Sequence, residues 1–201
     1  YDAEIVPIVK PDGTVVKDDG CPRPDSNAEG LAKLKPAFKA DGTVTAATSS
    51  PVTDGAAAVL VCSEEFAIKH GLEILAEVSS FAVTGLDPTV MGLGPVSATN
   101  KALDKAAATM DNVKFVEMNE AFAAQAKACQ NDLKIPDEKL NVHGGAIALG
   151  HPLGATGARI TGKAAQLLHD EGKDGDYAVS TQCIGAGQGI ATVLKKYTPK
   201  P

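Results

Sequence analysis

Two glycine-rich stretches, one with a histidine and one with a cysteine, hold the residues of this sequence best suited to chemistry. In the first, residues 141–159, His151 stands among glycines and directly before Pro152. Glycine packs no side chain and loses much backbone entropy on folding, so such a cluster typically marks tight turns or the close approach of a ligand. A helix-like pattern over 155–169 follows, and the start of a helix favours an anion. His151 is therefore either a residue that acts on a ligand or a buried histidine with satisfied hydrogen bonds.

The second stretch is residues 183–189, which begins with Cys183 and contains Gly185, Gly187 and Gly189. It follows an alternating strand pattern, so the sulfur is expected at a strand end beside free backbone N–H groups. Such surroundings lower the pKa of a thiol and hold an oxyanion. The alternative, a small buried hydrophobic residue, is the interpretation we favour for the other cysteines. Their patterns indicate a loop, a strand and a helix interior, at Cys21, Cys62 and Cys129.

A third candidate is Asn119, which lies where a short apolar strand gives way to a helical pattern. Asparagine at such a junction commonly caps the helix. It is equally able to orient a water molecule or a substrate carbonyl, and both interpretations require the same exposed position.

Composition and spacing argue against several classes of function. The net charge of −6 is contrary to the basic surface of nucleic-acid-binding proteins. His143 lies eight residues before His151 without a carboxylate or cysteine at ligand spacing, so no metal site is predicted. The four cysteines form no CxxC pair and indicate a reducing, cytoplasmic compartment. No apolar run is long enough to span a membrane, and no targeting segment is visible.

Periodicity predicts an α/β protein with a mixed sheet and the element order β-α-β-α-β-α-β-β. A first helix is expected from Ser26, which has capping-box spacing to Glu29, and a second from Ser63. Further helices are predicted at 94–107, 120–133 and 155–169. Strands are predicted at 5–9, 74–83, 113–117, 177–182 and 189–195.

Three motifs together give the sequence its resemblance to a known family. They are Asn-Glu-Ala-Phe at 119–122, Gly-Gly-Ala-Ile-Ala-Leu-Gly-His-Pro at 144–152, and Cys-Ile-Gly-Ala-Gly-Gln-Gly at 183–189. Supporting matches lie at 31–38, 42–46, 54–58 and 92–95. In order and spacing, across nearly all 201 residues, the chain resembles the C-terminal half of a thiolase. Thiolases make or break 3-ketoacyl-CoA. The motif residues of this chain are more similar to those of bacterial fatty-acid-oxidation thiolases than to those of biosynthetic thiolases.

The resemblance implies a thiolase-fold half, with a mixed five-stranded sheet and helices on both faces. Residues 1–40 would complete a loop region with its connecting helix, and residues 41–201 would form the C-terminal thiolase domain.

The same resemblance implies roles for individual residues. His151 would activate a nucleophilic cysteine and polarise the thioester carbonyl, with Asn119 holding a water in that oxyanion hole. Cys183 would be the general acid and base, and the N–H of Gly185 would serve a second oxyanion hole. Coenzyme A is then a substrate, and no tightly bound cofactor or metal is expected. The matching positions of the CoA and pantetheine channel are Phe38, Ser50, Met91 and Phe122.

One departure from the family limits this interpretation. The acyl-accepting cysteine of thiolases lies in the N-terminal half, and no cysteine here has a matching motif. We therefore expect activity only with a separate chain that carries the N-terminal half, assembled further into a dimer or tetramer. The alternative is a non-catalytic CoA-binding or assembly module. His143 also stands where many relatives have asparagine, which would alter either hydrogen bonding or acyl-chain selection.

Overall fold

A computed structural model of the protein describes residues 1–199 and centres on one four-stranded sheet. Residues 1–199 contain six β-strands and six α-helices. The strands are β1 (Ile8–Val9), β2 (Val15–Val16), β3 (Ala76–Gly85), β4 (Val113–Met118), β5 (Tyr177–Ile184) and β6 (Gln188–Lys196). The helices are α1 (Ala28–Ala32), α2 (Glu64–Lys69), α3 (Gly94–Lys105), α4 (Ala123–Leu133), α5 (Ala146–Leu149) and α6 (Leu153–Glu171).

The sheet has the strand order β3-β6-β5-β4, in which only β4 and β5 run parallel. Met118 lies opposite Thr181 in that parallel pair. Because parallel strands end at the same edge of a sheet, Asn119, just after β4, and Cys183, near the end of β5, lie toward the same edge. The α/β class with a mixed sheet is thereby confirmed.

The sheet has four strands among residues 1–199, where five were expected. The strand predicted at 5–9 is not part of it, because β1 pairs with β2 in a separate two-stranded sheet. Beside β4, a single parallel bridge joins Val116 to Leu140. A 3₁₀ turn, Asp137–Lys139, precedes this bridge, and Asn141 after it has a φ of 45°. The left-handed backbone at Asn141 ends the extended conformation after one residue, so no ladder forms there.

The sheet carries a hydrophobic layer on each face, because alternate residues of a strand point to opposite sides. On β5, Val179 packs with α3 and α4, whereas Ala178 packs under α6. The first layer also contains Ala98, Ala102, Val116, Met118, Cys129 and Val193. The second contains Phe115, Ala164, Leu167, Leu168 and Leu194. Helices therefore cover both faces, as the sequence predicts.

The first turn of α3 lies directly against the start of β6. A Cβ atom on Gly94 would collide with the backbone of Gln188 and Gly189, and one on Gly189 would collide with Gly94. Two backbones approach this closely only where neither residue has a side chain. Gly189 is also the partner of Cys183 in the β5–β6 ladder, so the contact between α3 and β6 lies directly next to the cysteine.

The first residues of the chain pack onto α6. Lys163, which is 5% exposed, has its Nζ atom 2.6 Å from Glu4 Oε1 and 4.5 Å from the centre of the Tyr1 ring. A lysine this deeply buried needs a paired carboxylate, because an uncompensated charge in the interior is strongly destabilising.

An extended apolar stretch at residues 56–61 stands out because it has no strand partner within residues 1–199. Val59, Leu60 and Val61 are all exposed, the last two at 74%. Val59 approaches α6 near Gly162. The strand predicted around Cys62 is therefore wrong: the residue is exposed in irregular backbone, since no neighbouring strand reaches it.

The starts of two helices differ from the prediction in ways that matter for the capping residues. The first helix is capped by Asn27, whose Oδ1 accepts a 2.9 Å hydrogen bond from the N–H of Gly30, rather than by Ser26. The cap at Ser63 is confirmed, with its Oγ accepting from the N–H of Phe66 at 3.2 Å. Helix α4 begins at Ala123, three residues later than expected. No helix in residues 1–199 is long and apolar enough to cross a membrane.

The contact between α3 and β6 makes a test of the packing. We expect Gly94→Ala to lower the free energy of unfolding by about 1–3 kcal/mol, the usual range for forcing a methyl group into a filled interior. Urea denaturation measures the change. The matched control is Gly20→Ala, because a Cβ atom there meets nothing within 4 Å. The packing argument fails if the two variants are equally stable.

Candidate active site

Asn119 lies immediately after β4, fully buried, and its backbone N–H donates to the carbonyl of Thr181 at 3.0 Å. Neither Oδ1 nor Nδ2 of its side chain has a hydrogen-bond partner among residues 1–199. The predicted helix cap is wrong, because α4 begins at Ala123 with Phe122 as its N-cap. A buried amide without partners costs about 1–3 kcal/mol. The side chain is thus available to a water molecule or a ligand.

Glu120 fastens the asparagine motif to the glycine turn that leads to the histidine. Its Oε1 accepts from Asn141 Nδ2 at 2.7 Å, and its Oε2 accepts from the N–H of Ile147 at 3.1 Å. The carboxylate fills the space where a Cβ atom of Gly145 would be. Asn141 in turn bonds both the N–H and the carbonyl of Met118. The end of β4 and helix α5 are therefore held as one unit.

His151 lies between α5 and α6. Gly150 before it has a φ of 94°, and the side chain of Thr53 fills the place of its missing Cβ. The Nδ1 atom of His151 is 2.6 Å from Oγ1 of Thr156, in the first turn of α6. Burial, with the nearby charge of Arg159, lowers the pKa of the imidazole. His151 is consequently a neutral base at neutral pH.

Cys183 lies near the end of β5, partly buried, opposite Gly189. Burial raises the pKa of its thiol, so the expected lowering by backbone N–H groups is wrong for this structure. At neutral pH the sulfur carries its proton. Gly185 begins the loop between β5 and β6, and a Cβ atom there would meet nothing within 4 Å, so the loop faces open space.

The remaining cysteines have different surroundings. Cys129 is fully buried in α4, where its Sγ donates to the carbonyl of Gly92 at 3.2 Å and burial raises its pKa to about 11. Its interpretation as a buried hydrophobic residue is confirmed. Cys21 is partly buried, 3.7 Å from Oγ1 of Thr53, and Cys62 is exposed.

Three of the four predicted channel residues lie around the start of α4. The N–H of Ser50 donates to Ala121 at 3.0 Å, and Ser49 forms a β-bridge with Phe122. Met91 belongs to the 3₁₀ segment Pro88–Leu93, which packs on α4.

Phe38 is separate from these three. It is 78% exposed and lines a groove of about 480 Å³ formed by residues 38–44. Another groove, of about 490 Å³, lies between residues 53–57 and 152–155, next to His151. Neither groove is lined by His151 or Cys183 themselves.

The predicted catalytic residues belong to elements that meet at one edge of the sheet. Asn119 directly follows β4, and Cys183 is the second-to-last residue of the adjacent strand β5. His151 reaches the same edge because Glu120 holds α5, and because Gly157 of α6 lies beside Gln182. Within residues 1–199 no group of three or more His, Cys, Asp or Glu side chains is arranged to hold a metal.

The sequence reasoning missed four residues of the site: Glu117, Glu120, Thr156 and Arg159. Glu117 is 1% exposed, and burial raises its pKa to about 7 although Arg159 and Lys163 oppose the shift. Its Oε1 and the Nε and Nη1 atoms of Arg159 have no hydrogen-bond partners within the described residues. The sequence did hold a signal for Glu117, because a carboxylate within a mostly apolar strand indicates a buried, ionisable residue.

Comparison with known proteins gives the family context. The model described as "Thiolase, C-terminal domain" matches residues 72–196, and "Thiolase, N-terminal domain" matches residues 1–65. A 3-ketoacyl-CoA thiolase from Aliivibrio fischeri is 50% identical over an alignment of 205 residues with its gaps. The alignment covers 98% of this chain and 52% of that protein. The chain spans about half the length of the curated relatives it matches.

Two solved structures are similar in fold along nearly the whole chain. Human mitochondrial 3-ketoacyl-CoA thiolase in complex with CoA is 40% identical, with a TM-score of 0.85, covering 96% of this chain and 48% of that one. The dimeric peroxisomal thiolase of Saccharomyces cerevisiae is 42% identical, with a TM-score of 0.89, covering 97% and 49%.

Two buried asparagines separate a ligand-binding role from a structural one. We expect Asn119→Ala to leave the free energy of unfolding unchanged or up to about 1 kcal/mol higher, because no hydrogen bond is lost and an unpaired amide is removed. We expect Asn141→Ala to lower it by at least about 2 kcal/mol, because three hydrogen bonds are lost. Urea denaturation measures both. A loss at Asn119 as large as that at Asn141 would contradict the assignment.

The raised pKa of Glu117 predicts a pH-dependent stability. Its pKa is 4.5 unfolded and about 7 folded, so the folded state binds the extra proton between these values and loses stability as the pH rises through them. We expect Glu117→Gln to be nearly neutral at about pH 4 and to stabilise by about 3 kcal/mol at about pH 8. Denaturation midpoints across this range measure the difference, with the exposed Glu138→Gln as control. A pH-independent difference would refute burial as the cause.

Proposed function

The chain belongs to the thiolase family, and from this premise we propose that it supplies the acid/base half of an acyl-CoA C-acyltransferase site. The reaction is cleavage of 3-ketoacyl-CoA by CoA into acetyl-CoA and a shortened acyl-CoA, as in fatty-acid β-oxidation, or the reverse Claisen condensation. The 3-ketoacyl-CoA thiolase from Aliivibrio fischeri supports this reaction class.

The observation that carries the proposal is the side chain of Asn119. It is fully buried, has no hydrogen-bond partner in the part of the chain that the structure describes, and lies at the sheet edge toward which β5 carries Cys183. Folding leaves such an amide unpaired only at a penalty, which a bound water or carbonyl oxygen removes. An Asn119-held water, together with an N–H of His151, would form an oxyanion hole. Preorganised donors of this kind contribute roughly 2.7–4 kcal/mol each to transition-state stabilisation.

Cleavage begins when a cysteine thiolate, activated by His151, attacks the 3-keto carbon of the substrate. The bond between C2 and C3 then breaks, and its electron pair becomes the enolate of acetyl-CoA. Cys183 gives its S–H proton to C2, which completes acetyl-CoA and leaves Cys183 as a thiolate. The raised pKa of Cys183 supports this role, because a general acid must hold its proton before the step.

Transfer of the acyl group to CoA restores the site. The Cys183 thiolate removes the proton from the thiol of CoA, whose sulfur attacks the acyl-enzyme thioester and releases the first cysteine. The N–H of Gly185 would stabilise the oxyanion formed when the sulfur of CoA attacks the acyl-enzyme thioester, and its open surroundings leave room for that oxygen. The neutral imidazole of His151 suits a base that accepts a proton and later returns it.

Coenzyme A is the substrate we propose for the channel. The human mitochondrial relative in complex with CoA supports this choice. Ser50, Met91 and Phe122, which gather at the start of α4, are the proposed contacts for pantetheine. Phe38 is the proposed outer contact, on its own exposed loop. We propose no tightly bound cofactor.

The nucleophilic cysteine is proposed to come from a separate chain that carries the N-terminal half of the fold. Cys129 is buried with a raised pKa, Cys62 is exposed on irregular backbone, and Cys21 lies beside Thr53. The exposed apolar residues 56–61 support a missing partner surface, since such a stretch is normally covered.

The oligomeric state, the cellular location and the domain division complete the proposal. The yeast relative is dimeric, which supports a dimer or tetramer of complete units here. The four cysteines are free, as a reducing cytoplasmic location requires. The division into residues 1–40 and 41–201 stays a prediction.

The proposal is tested by thiolysis of acetoacetyl-CoA with this chain alone and with a chain carrying an N-terminal thiolase half. We expect turnover only for the mixture, with an acyl label on a cysteine of the added chain, found by intact-mass analysis. Cys183→Ala in the complex is expected to reduce kcat by about 10²–10⁴-fold, the range for loss of a general acid or base. Cys21→Ala is the control.

Two results would overturn parts of this proposal. Thiolysis by the chain alone would refute the need for a partner. Turnover of Cys183→Ala within a few-fold of wild type would refute the catalytic assignment and favour the non-catalytic CoA-binding module.

A further inference from the structure

Thr156 contacts the Nδ1 atom of His151, which leaves the other ring nitrogen, Nε2, for the proposed chemistry. Its Oγ1 lies 2.6 Å from Nδ1 of His151, and Thr156 is fully buried in the first turn of α6. The turn that joins them is short and braced by a hydrogen bond from the N–H of Leu153 to the carbonyl of His151, at 2.9 Å. The threonine and the imidazole are thus fixed in relation to each other by the start of a 19-residue helix.

The partner of one ring nitrogen decides what the other nitrogen can do. In a neutral imidazole one nitrogen carries the proton and the other accepts a hydrogen bond. If Nδ1 donates to the hydroxyl, Nε2 is a base. If the hydroxyl donates to Nδ1, Nε2 carries the proton and is a donor.

A hydroxyl differs here from a carboxylate or a carbonyl. Those groups only accept, so they would hold the proton on Nδ1 and leave Nε2 a base throughout. A hydroxyl both donates and accepts, so it keeps a hydrogen bond to Nδ1 whether or not Nδ1 carries the proton. The proposed reaction asks His151 for both: a base toward the nucleophilic cysteine and a donor toward the thioester carbonyl.

We propose that Thr156 is the positioning residue of His151, whose hydroxyl fixes the ring orientation and supports both proton states by holding Nδ1. The catalytic part of this inference rests on the proposed thiolase function. The positioning part concerns the histidine itself and stands on the contact between the two side chains.

The test compares Thr156→Val, which keeps the shape and removes the hydroxyl, with Thr156→Ser, which keeps the hydroxyl. The matched control is Thr161→Val on the same helix, whose hydroxyl bonds Ser180 Oγ at 2.8 Å and does not contact His151. In the complex with the N-terminal half, we expect Thr156→Val to lower kcat by about 10- to 100-fold with little change in KM, because a misplaced catalytic group loses rate rather than binding. Thr156→Ser and Thr161→Val are expected within about threefold of wild type.

A second readout uses the chain by itself. Long-range ¹H–¹⁵N spectra of histidine-labelled protein report which ring nitrogen of each of the four histidines carries the proton. We expect the Nδ1 and Nε2 shifts of His151 to change in Thr156→Val and to stay as in wild type in Thr156→Ser and Thr161→Val. If Thr156→Val does not fold, Thr156→Ala replaces it.

The two readouts separate the possible failures. Unchanged spectra and unchanged kcat in Thr156→Val would each overturn the positioning role. If the wild-type complex has no thiolase activity, the proposed function fails, and the histidine spectra alone then decide whether Thr156 holds the ring. Equal losses of kcat in Thr156→Val and Thr161→Val would show a general effect of α6 and would also overturn it.

Discussion

The carboxylate of Glu120 is the interaction on which the candidate site depends. It accepts one hydrogen bond from Asn141 and one from the backbone of Ile147, and so joins the end of β4 to the turn before His151. These elements lie more than twenty residues apart in the chain. Asn141 also bonds the backbone of Met118 in β4, so the start of the glycine turn is held at the strand end by both side chains, whereas Ile147 of α5 is held there by Glu120. The absence of a side chain at Gly145 is the counterpart of this bridge, because the carboxylate fills that space.

Burial then gives these side chains their proton states. Removing a group from water disfavours its charged form, so the thiol of Cys183 keeps its proton and the imidazole of His151 stays neutral. A neutral acid and a neutral base at one sheet edge are the pair that proton exchange with a carbon acid requires. Glu117 shows the same effect in a carboxyl group, and its position beneath α6 shows how dry that side of the sheet is. Partial burial therefore sets the direction of the pKa shifts of both Cys183 and His151, with the charge of Arg159 adding to the shift of the histidine.

Much of the fold could be predicted from the sequence because its main elements have strong local signals. The alternation of β5 and the long helical pattern of α6 depend on period alone, and the structure reproduces both within two residues. The cap at Ser63 follows from the hydroxyl and the pattern after it. Where a signal had two nearby candidates, as with Ser26 and Asn27, the sequence did not distinguish them, because both side chains are good caps. The strand expected at Cys62 failed because a strand needs a neighbour, which no local pattern provides.

The sequence by itself determined which residue types the site contains: His151 and Cys183 on glycine turns, and Asn119 at a strand end. Only the tertiary structure decided their states. The direction of the pKa shift of Cys183 depends on burial by elements distant in the chain, and the sequence reasoning had it reversed. That Asn119 is an unpaired amide rather than a cap depends on where α4 begins, which the bridge between Ser49 and Phe122 delays. Types and spacings are local properties of a chain, whereas solvation and hydrogen-bond partners come from contacts across it.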